Sequence, residues 1–320
     1  MFTGPGIIRF FYSWFIFSGV KTTMNFYPSK IAVLIHPKDN FEAGHFLLRF
    51  LVEAWKNDGI DIRILCGIGH FEPAEGLILH PDLTIVPDDY LGFCKQYPLT
   101  INGGVRDISK RMISSSLVGQ KDSYVGPVIV KTNFNFGGKS ERKIARRRTL
   151  GRALSCLTGW LPWSWTGQLR PYNYPIFNSS RDVPRAARHN PRLVVEKFLP
   201  EREGAYYCLR QWIFFGDHEI SHRIFSKSPI VKARNTLHHE DGLPVPEALR
   251  GLRKKLQFDY GKFDYALVNG QPVLYDANRT PTVGWTTTAT ARQASIVNEL
   301  AQGLFSFFAK KAGEQEVSRP

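Results

Sequence analysis

Cysteine is scarce in this chain of 320 residues: only Cys66, Cys94, Cys156 and Cys208 are present. They form no C-x-x-C pair and have no histidine at zinc-finger spacing, which excludes a zinc module and a disulfide framework. A reduced, cytoplasmic protein with incidental thiols is the expectation. Long apolar runs are also missing. The run from Ile7 to Val20 spans fourteen residues and is broken by Arg9, whereas a membrane-spanning helix needs about 20. It lacks the basic start and small-residue cleavage site of a secretory leader. No integral membrane insertion is expected, and residues 1–25 read as an extension or an over-called start ahead of a chain beginning near Met24. Acids are in deficit as well: 28 Asp and Glu against 42 Lys and Arg leave a net charge of +14. That excess suits an anionic partner, for which nucleotide, acidic metabolite, membrane surface and nucleic acid all qualify.

What is present is the composition of a packed protein. At 43% hydrophobic and 13% aromatic residues, neither global disorder nor a fibrous chain fits. The length suggests two domains or three lobes, and there is no internal repeat.

The first part reads as α/β. Ile31 to Ile35 is a strand-length apolar run, and Asp39-x-x-Glu42 offers a capping box for a helix reaching Asp58. Gly59 is a natural stop, and Asp61 to Cys66 reads as the next strand. Leu83–Val86 and Leu99–Ile101 are further strand candidates, and Asp107 can cap a helix running to Val118. Pro127 to Lys131 is a buried-looking strand that ends in Asn133-Phe134-Asn135-Phe136-Gly137-Gly138. From Lys131 to Arg192 there are 13 Lys and Arg against only Glu141 and Asp182, a net of +11. Most of the chain's positive charge is therefore in one place. Lys139 to Arg148 divides evenly between a solvated basic face and a phosphate-facing loop, and Trp160, Trp163 and Trp165 read as a local hydrophobic cluster.

The later chain turns antiparallel. Leu193–Phe198, Tyr206–Phe215 and Glu219–Phe225 read as strands, Pro244–Leu256 as a helix with a basic face, and Phe263–Val268 with Pro272–Tyr275 as a hairpin. Ile296, Leu300, Leu304 and Phe308 recur every four residues, the stripe of a core helix.

Gly138-Lys139-Ser140 invites a phosphate-loop reading, but the first glycine of that motif would stand at Asn133, so it fails. The hairpin is sharper. If Asn269-Gly270-Gln271 is a three-residue loop, Asp264 pairs with Asp276, and Asn278 shares their face. A two-residue loop would set the two aspartates on opposite faces. Two carboxylates and an amide oxygen beside Lys262 are hard ligands suited to Mg²⁺ carrying nucleotide phosphates.

In their order along the chain these segments resemble the ATP-grasp superfamily. Ser109-Lys110 is similar to its first phosphate lysine. Val128-Ile129-Val130-Lys131 with Gly137-Gly138 resembles its second lysine and glycine-rich lid, and Val194 to Leu199 resembles its interlobe hinge. The resemblance implies α/β and α+β architecture: an ATP-grasp fold of two subdomains gripping ATP, after a small Rossmann-like domain. The implied boundaries are 26–105 for that first domain, 106–195 for subdomain 1 with its basic lid, 196–310 for subdomain 2, and 311–320 as a tail.

It also implies roles. Lys110, Lys131, Gly137 and Gly138 would hold phosphates. Glu196, Lys197, Phe198 and Leu199 would read adenine, and Glu203 would hold the ribose. Asp264, Asp276 and Asn278 would bind Mg²⁺, with Mn²⁺ as an alternative. Lys262 stands where related ligases carry an arginine. Beside the resemblance, Arg210 and Arg279 are further candidates for holding a substrate carboxylate, with a surface position the alternative for each.

The implied activity is ligation of a carboxylate to an amine or thiol with ATP, through an acylphosphate. The alternatives are a kinase on the same fold and a non-catalytic ATP- or RNA-binding module. Small-molecule substrates are the expected partners, with no nucleic acid. His36, His45, His70, His80, His238 and His239 stand in no catalytic motif, and His238-His239 reads as a loop pair.

Overall fold

The computed structural model describes residues 28–119, 121–145, 161–169, 173–285 and 290–317. The N-terminal extension, Trp160 and Arg146–Arg148 of the basic run lie outside them. Three sheets carry the architecture. The first is parallel, built from β1 (Lys30–Ile35), β2 (Asp61–Cys66), β3 (Gly76–Leu79) and β4 (Thr100–Ile101) in the order β2-β1-β3-β4. β1 shows no polar alternation because both of its faces are covered. Ile31 and Val33 enter one core, and Ala32 and Leu34 the other.

Helix α1 (Leu47–Asn57) follows β1, and Gly59, at φ +87°, turns the chain into β2. The helix starts later than the capping box suggests. The Asp39 carboxylate instead accepts the backbone N–H groups of His36 and Asp82, both at 3.0 Å. Leu83–Val86 forms no strand; the extra strand is Gly76–Leu79, four buried residues too short to show a period. Helix α2 spans Asp88–Cys94. Asp107 receives the N–H of Ser109, and the helix after it, α3, covers only Lys110–Ile113.

The second sheet is a small antiparallel one, β5 (Val128–Thr132) between β6 (Ile176–Phe177) and β7 (Leu193–Lys197). Helix α4 (Lys139–Ala145) leaves β5 through a glycine turn; α5 (Trp163–Thr166) and α6 (Arg185–His189) lie between β5 and β7 in sequence. Trp163 packs against this sheet's core, whereas Trp165 is exposed, so these two tryptophans do not share one cluster.

The third sheet is the largest. It comprises β8 (Glu201–Glu203), β9 (Tyr206–Phe215), β10 (His218–Ser226), β11 (His238–Asp241), β12 (Tyr260–Val268) and β13 (Gln271–Asn278). Its order is β11-β10-β9-β12-β13, with β8 on β9. Helix α7 (Glu247–Lys255) joins β11 to β12 in sequence and packs Leu249 into the sheet's own core with Trp212, Phe214 and Phe263. His238 lies on β11, stacked on Phe225 at 4.1 Å, so the histidine pair belongs to a strand and not to a loop.

Helix α8 (Ala291–Val317) ties the first and third sheets together. Leu300, Leu304 and Phe308 share a core with α1, β1, Phe215 and Tyr260, and Trp55 Nε1 donates to the Ala301 carbonyl at 2.9 Å. Gly303 permits the contact, because a Cβ there would sit 1.9 Å from the Phe215 carbonyl oxygen. Two buried polar clamps complete the join. Asn102 exchanges hydrogen bonds with Asp259 and Tyr260 at 2.7–3.0 Å. Arg279 donates Nη1 to the Val105 carbonyl at 2.7 Å and Nη2 to the Leu83 carbonyl at 2.5 Å. Among the described residues, no helix is long and apolar enough to cross a membrane.

Candidate functional site

The hairpin of β12 and β13 builds the site by a route the sequence does not suggest. Its loop has two residues: Asn269 and Gly270 take φ values of +51° and +76°, and Val268 pairs with Gln271. Such primed turns match the twist of paired strands. Pairing on that register would separate the aspartates. A β-bulge at Tyr275 restores them, because Tyr265 pairs with Leu274 while Asp264 pairs with Asp276. The extra residue shifts the register by one and returns Asp276 to the face of Asp264.

Pairing extends this face across the sheet in two rows. One row runs Asp241, His222, Gln211, Asp264, Asp276 across β11, β10, β9, β12 and β13. The other runs Ile220, Ile213, Lys262, Asn278 across β10, β9, β12 and β13. All nine residues line one cleft of about 1440 Å³. A narrower apolar slot beside it is lined by Phe198, Leu199, Pro200, Cys208, Ile230 and Val231. Lys110, Lys131, Lys197, Lys232, Asp264 and Asp276 also line that slot.

Lysines converge on the row from three directions. The Lys110 ammonium pairs with Asp276 Oδ1. Lys262 lies 3.3 Å from Asp264 Oδ1, and Lys131 pairs with Glu196 at 2.6 Å. Burial alone would raise the Asp264 carboxyl, but Lys262, Lys232 and the Gln211 amide hold it below the usual carboxylate range. Burial would likewise raise Glu196, and Lys131 holds it low. Lys232 enters the cleft from the segment after β10, which the sequence did not mark. Burial pushes its ammonium below the usual lysine value, against the pull of Asp264 and Asp276. It makes no ion pair among the described residues.

Asp264 and Asp276 supply carboxylate oxygens and Asn278 an amide oxygen, hard donors of the kind Mg²⁺ prefers. Among the described residues no group of three His, Cys, Asp or Glu could hold a metal ion; this set takes its third oxygen from Asn278. Its Oδ1 accepts the Thr280 N–H at 2.9 Å and lies 3.4 Å from Asn135 Nδ2.

Asn135 opens the glycine turn. Phe136, Gly137 and Gly138 follow in three successive left-handed conformations, at φ +44°, +67° and +69°. A phenylalanine there is uncommon. Gly137 and Gly138 are buried, and it is Phe136 and Lys139 on either side that line the cleft. The basic run after them forms α4 through Ala145. It is held to the first sheet's loops by Ser140 Oγ donating to Asp82 at 2.6 Å and the Thr84 N–H donating to Glu141 at 2.7 Å.

Three expected site residues lie elsewhere. Arg210 is on the sheet face opposite Gln211 and forks onto Glu201, with contacts of 2.8 to 3.0 Å. Arg279 is fully buried as a clamp. Glu203 is exposed and pairs with Arg223 at 2.6 Å. None of the three lines the cleft or the slot. At the hinge, Phe198 and Leu199 line the slot, while the Lys197 N–H is committed to the Ser116 carbonyl at 2.8 Å. Glu196 is buried behind them on Lys131.

No family model matches the chain, and no curated protein matches it. In three dimensions the chain is similar to D-alanine–D-alanine ligase from Bacillus anthracis over 89% of its length and 99% of that chain, with a TM-score of 0.47 and 11% identity. It is similar to a RimK domain ATP-grasp protein from Sphaerobacter thermophilus over 88% and 99%, with a TM-score of 0.46 and 13% identity. A third likeness is to the ATP-grasp ligase PsnB complexed with a minimal precursor, over 87% and 100%, with a TM-score of 0.46 and 10% identity. These are likenesses of outline, two of them to proteins named as ATP-grasp.

Proposed function

We propose that the chain is an ATP- and Mg²⁺-dependent ligase of the ATP-grasp type, joining a carboxylate to an amine or thiol through an acylphosphate. The observation that carries this reading is the convergence of Asp264, Asp276, Asn278 and Lys262 on one sheet face with Lys110, Lys131 and Lys232 around them. An apolar slot adjoins a cation-rich, hard-oxygen centre, which is the pairing of chemistries a nucleoside triphosphate presents.

Each residue then has a physical task. Phe198, Leu199 and Val231 exclude water from the base. Lys110, Lys131 and Lys232 neutralise phosphate oxygens at fixed positions, which costs no reorganisation when charge shifts during transfer. Lys262 stands beside Asp264, placed to hold the oxygens of the moving phosphoryl group as a point charge. Asp264, Asp276 and Asn278 would hold the Mg²⁺, which would supply a Lewis acid for the phosphate charge. No side chain is required as a covalent nucleophile; positioning and charge account for the chemistry. The wider cleft, past Lys262 toward Ile213 and Ile220, leaves room for the second substrate.

Calorimetry tests the reading directly. ATP binding should depend on Mg²⁺ in the wild type and be lost in Asp276→Ala, with the unfolding midpoint retained. A folded wild type that binds no ATP with or without Mg²⁺ would refute it. The substrate search then follows ADP release across a panel of acids and amines.

A further inference from the structure

Two neighbours in the polar row of the cleft, Gln211 and His222, are given no task by the proposed reaction. Gln211 and His222 face each other across β9 and β10, and Gln211 faces Asp264 across β9 and β12. Gln211 Nε2 lies 2.7 Å from Asp264 Oδ1, and His222 Nε2 lies 2.8 Å from Gln211 Oε1. The directions of these bonds are fixed by chemistry. An ionised carboxylate only accepts, so the glutamine atom facing Asp264 is the NH₂ group. Its carbonyl oxygen must then face the imidazole and needs a donor there. His222 therefore carries its proton on Nε2.

We propose that His222 and Gln211 form a positioning chain that orients the Asp264 carboxylate for a divalent cation. This rests on the reading of Asp264 as a cation ligand. The imidazole N–H locks the amide against flipping, and the locked amide holds Oδ1, so that Oδ2 is presented at a fixed angle. A flipped amide would set a carbonyl oxygen against a carboxylate oxygen and turn Asp264 away. Neither residue touches the cation or a substrate; both act through Asp264. Groups that hold a metal ligand in this way commonly matter by 10- to 100-fold in metal affinity. Strand pairing supports the arrangement, because the three side chains are nearest neighbours in one row and need no loop to bring them together.

The test uses the full-length protein with Mn²⁺ and ADP, following Mn²⁺ binding by electron paramagnetic resonance and stability by urea unfolding. Gln211→Met keeps the volume and removes both hydrogen bonds; it should weaken Mn²⁺ binding about tenfold or more. His222→Phe removes only the lock and should weaken it less, by a few-fold. The double variant should match Gln211→Met alone, because a link in series has nothing left to act on. Nitrogen-15 NMR of the wild type should show His222 as the Nε2–H tautomer, and this signature should be lost in Gln211→Met. Gln211→Asn, a donor too short to reach, should not restore binding.

Wild-type Mn²⁺ affinity in a folded Gln211→Met protein overturns the chain, as do additive effects in the double variant. A wild type that binds no Mn²⁺ with ADP overturns instead the assignment of Asp264 as a ligand, so the two failures are distinguishable.

Discussion

The two faces of β9 and β10 carry the same kinds of residue and use them in opposite ways. On the outer face, Arg210 forks onto Glu201, and Arg223 joins Glu201, Glu203 and Glu240 at 2.6 to 3.5 Å. Each guanidinium there is met by carboxylates, and the Leu267 N–H also donates to Glu201 at 2.7 Å. That network is complete. On the cleft face, pairing stops short. Lys110, Lys131 and Lys262 each meet one acid, while Lys232, partly buried, makes no ion pair among the described residues. An ammonium withdrawn from water with no carboxylate at ion-pair distance is unfavourable in the folded protein. Its presence makes sense if an anion completes it. The comparison separates charges that hold the fold from charges held ready for a ligand, a distinction residue type alone does not make.

The largest effect that could break this contrast is on the outer face. Arg210→Ala leaves Glu201 buried, with Arg223 at 3.5 Å as its remaining cation. The variant should lose about 3 kcal/mol of stability, the low end for breaking a buried pair because one partner survives. Urea unfolding measures the loss, and ATP affinity, measured where the variant is folded, should be unchanged. A stable Arg210→Ala that binds ATP tenfold more weakly would place Arg210 in the site after all.

Lys232→Met sharpens the other side. Removing the cation should weaken ATP binding about tenfold, or about 1.4 kcal/mol, while raising the stability of the ligand-free protein by about 1 kcal/mol. The sign follows from proton binding. The folded-state pKa lies below the usual 10.5, so the charged lysine costs stability at neutral pH. That cost fades as pH rises through the folded-state value, since the unfolded chain then binds the extra proton. The stability gain should therefore be full at pH 7 and shrink in alkali. A variant less stable than wild type at pH 7 would assign Lys232 to the fold.

How much of this was legible depended on whether the signal was local. β1, β2, β9 and the stripe of α8 are written in runs and periods, and the structure has them where the sequence puts them. The pairing of Asp264 with Asp276 was expected from a three-residue loop. The loop has two residues, and a bulge at Tyr275 supplies the missing shift. Asn269-Gly270 itself favours the two-residue turn, so the bulge was implied only if both aspartates had to share a face. Glu203, Arg210 and Arg279 were misplaced for a different reason. Position along a motif does not reveal which sheet face a side chain takes or whether a carbonyl distant in the chain will claim it. Lys232 went unmarked because it belongs to no pattern; only the folded segment after β10 brings it to Asp264.

A further expected effect concerns a charge that belongs to neither class yet. Asp39 lines the cleft beyond the end of β1, and burial together with the neighbouring Asp82 raises its carboxyl to about 6, against the backbone donors from His36 and Asp82 and the nearby Lys143. Above pH 6 the folded protein holds a carboxylate there at a cost. Below about 3.8, the ordinary value, both folded and unfolded chains are protonated and the cost vanishes. Asp39→Asn keeps an oxygen to accept both backbone N–H groups and removes the charge. It should gain about 1 to 2 kcal/mol at pH 7.5, discounted for partial exposure, and the gain should fade to nothing near pH 4. Urea midpoints at the two pH values measure it. If the gain appears, Asp39 resembles Lys232, a charge kept at a cost and facing the cleft. If Asp39→Asn is less stable at pH 7.5, the carboxylate is already satisfied, and Asp39 joins Glu201 among the charges that hold the fold.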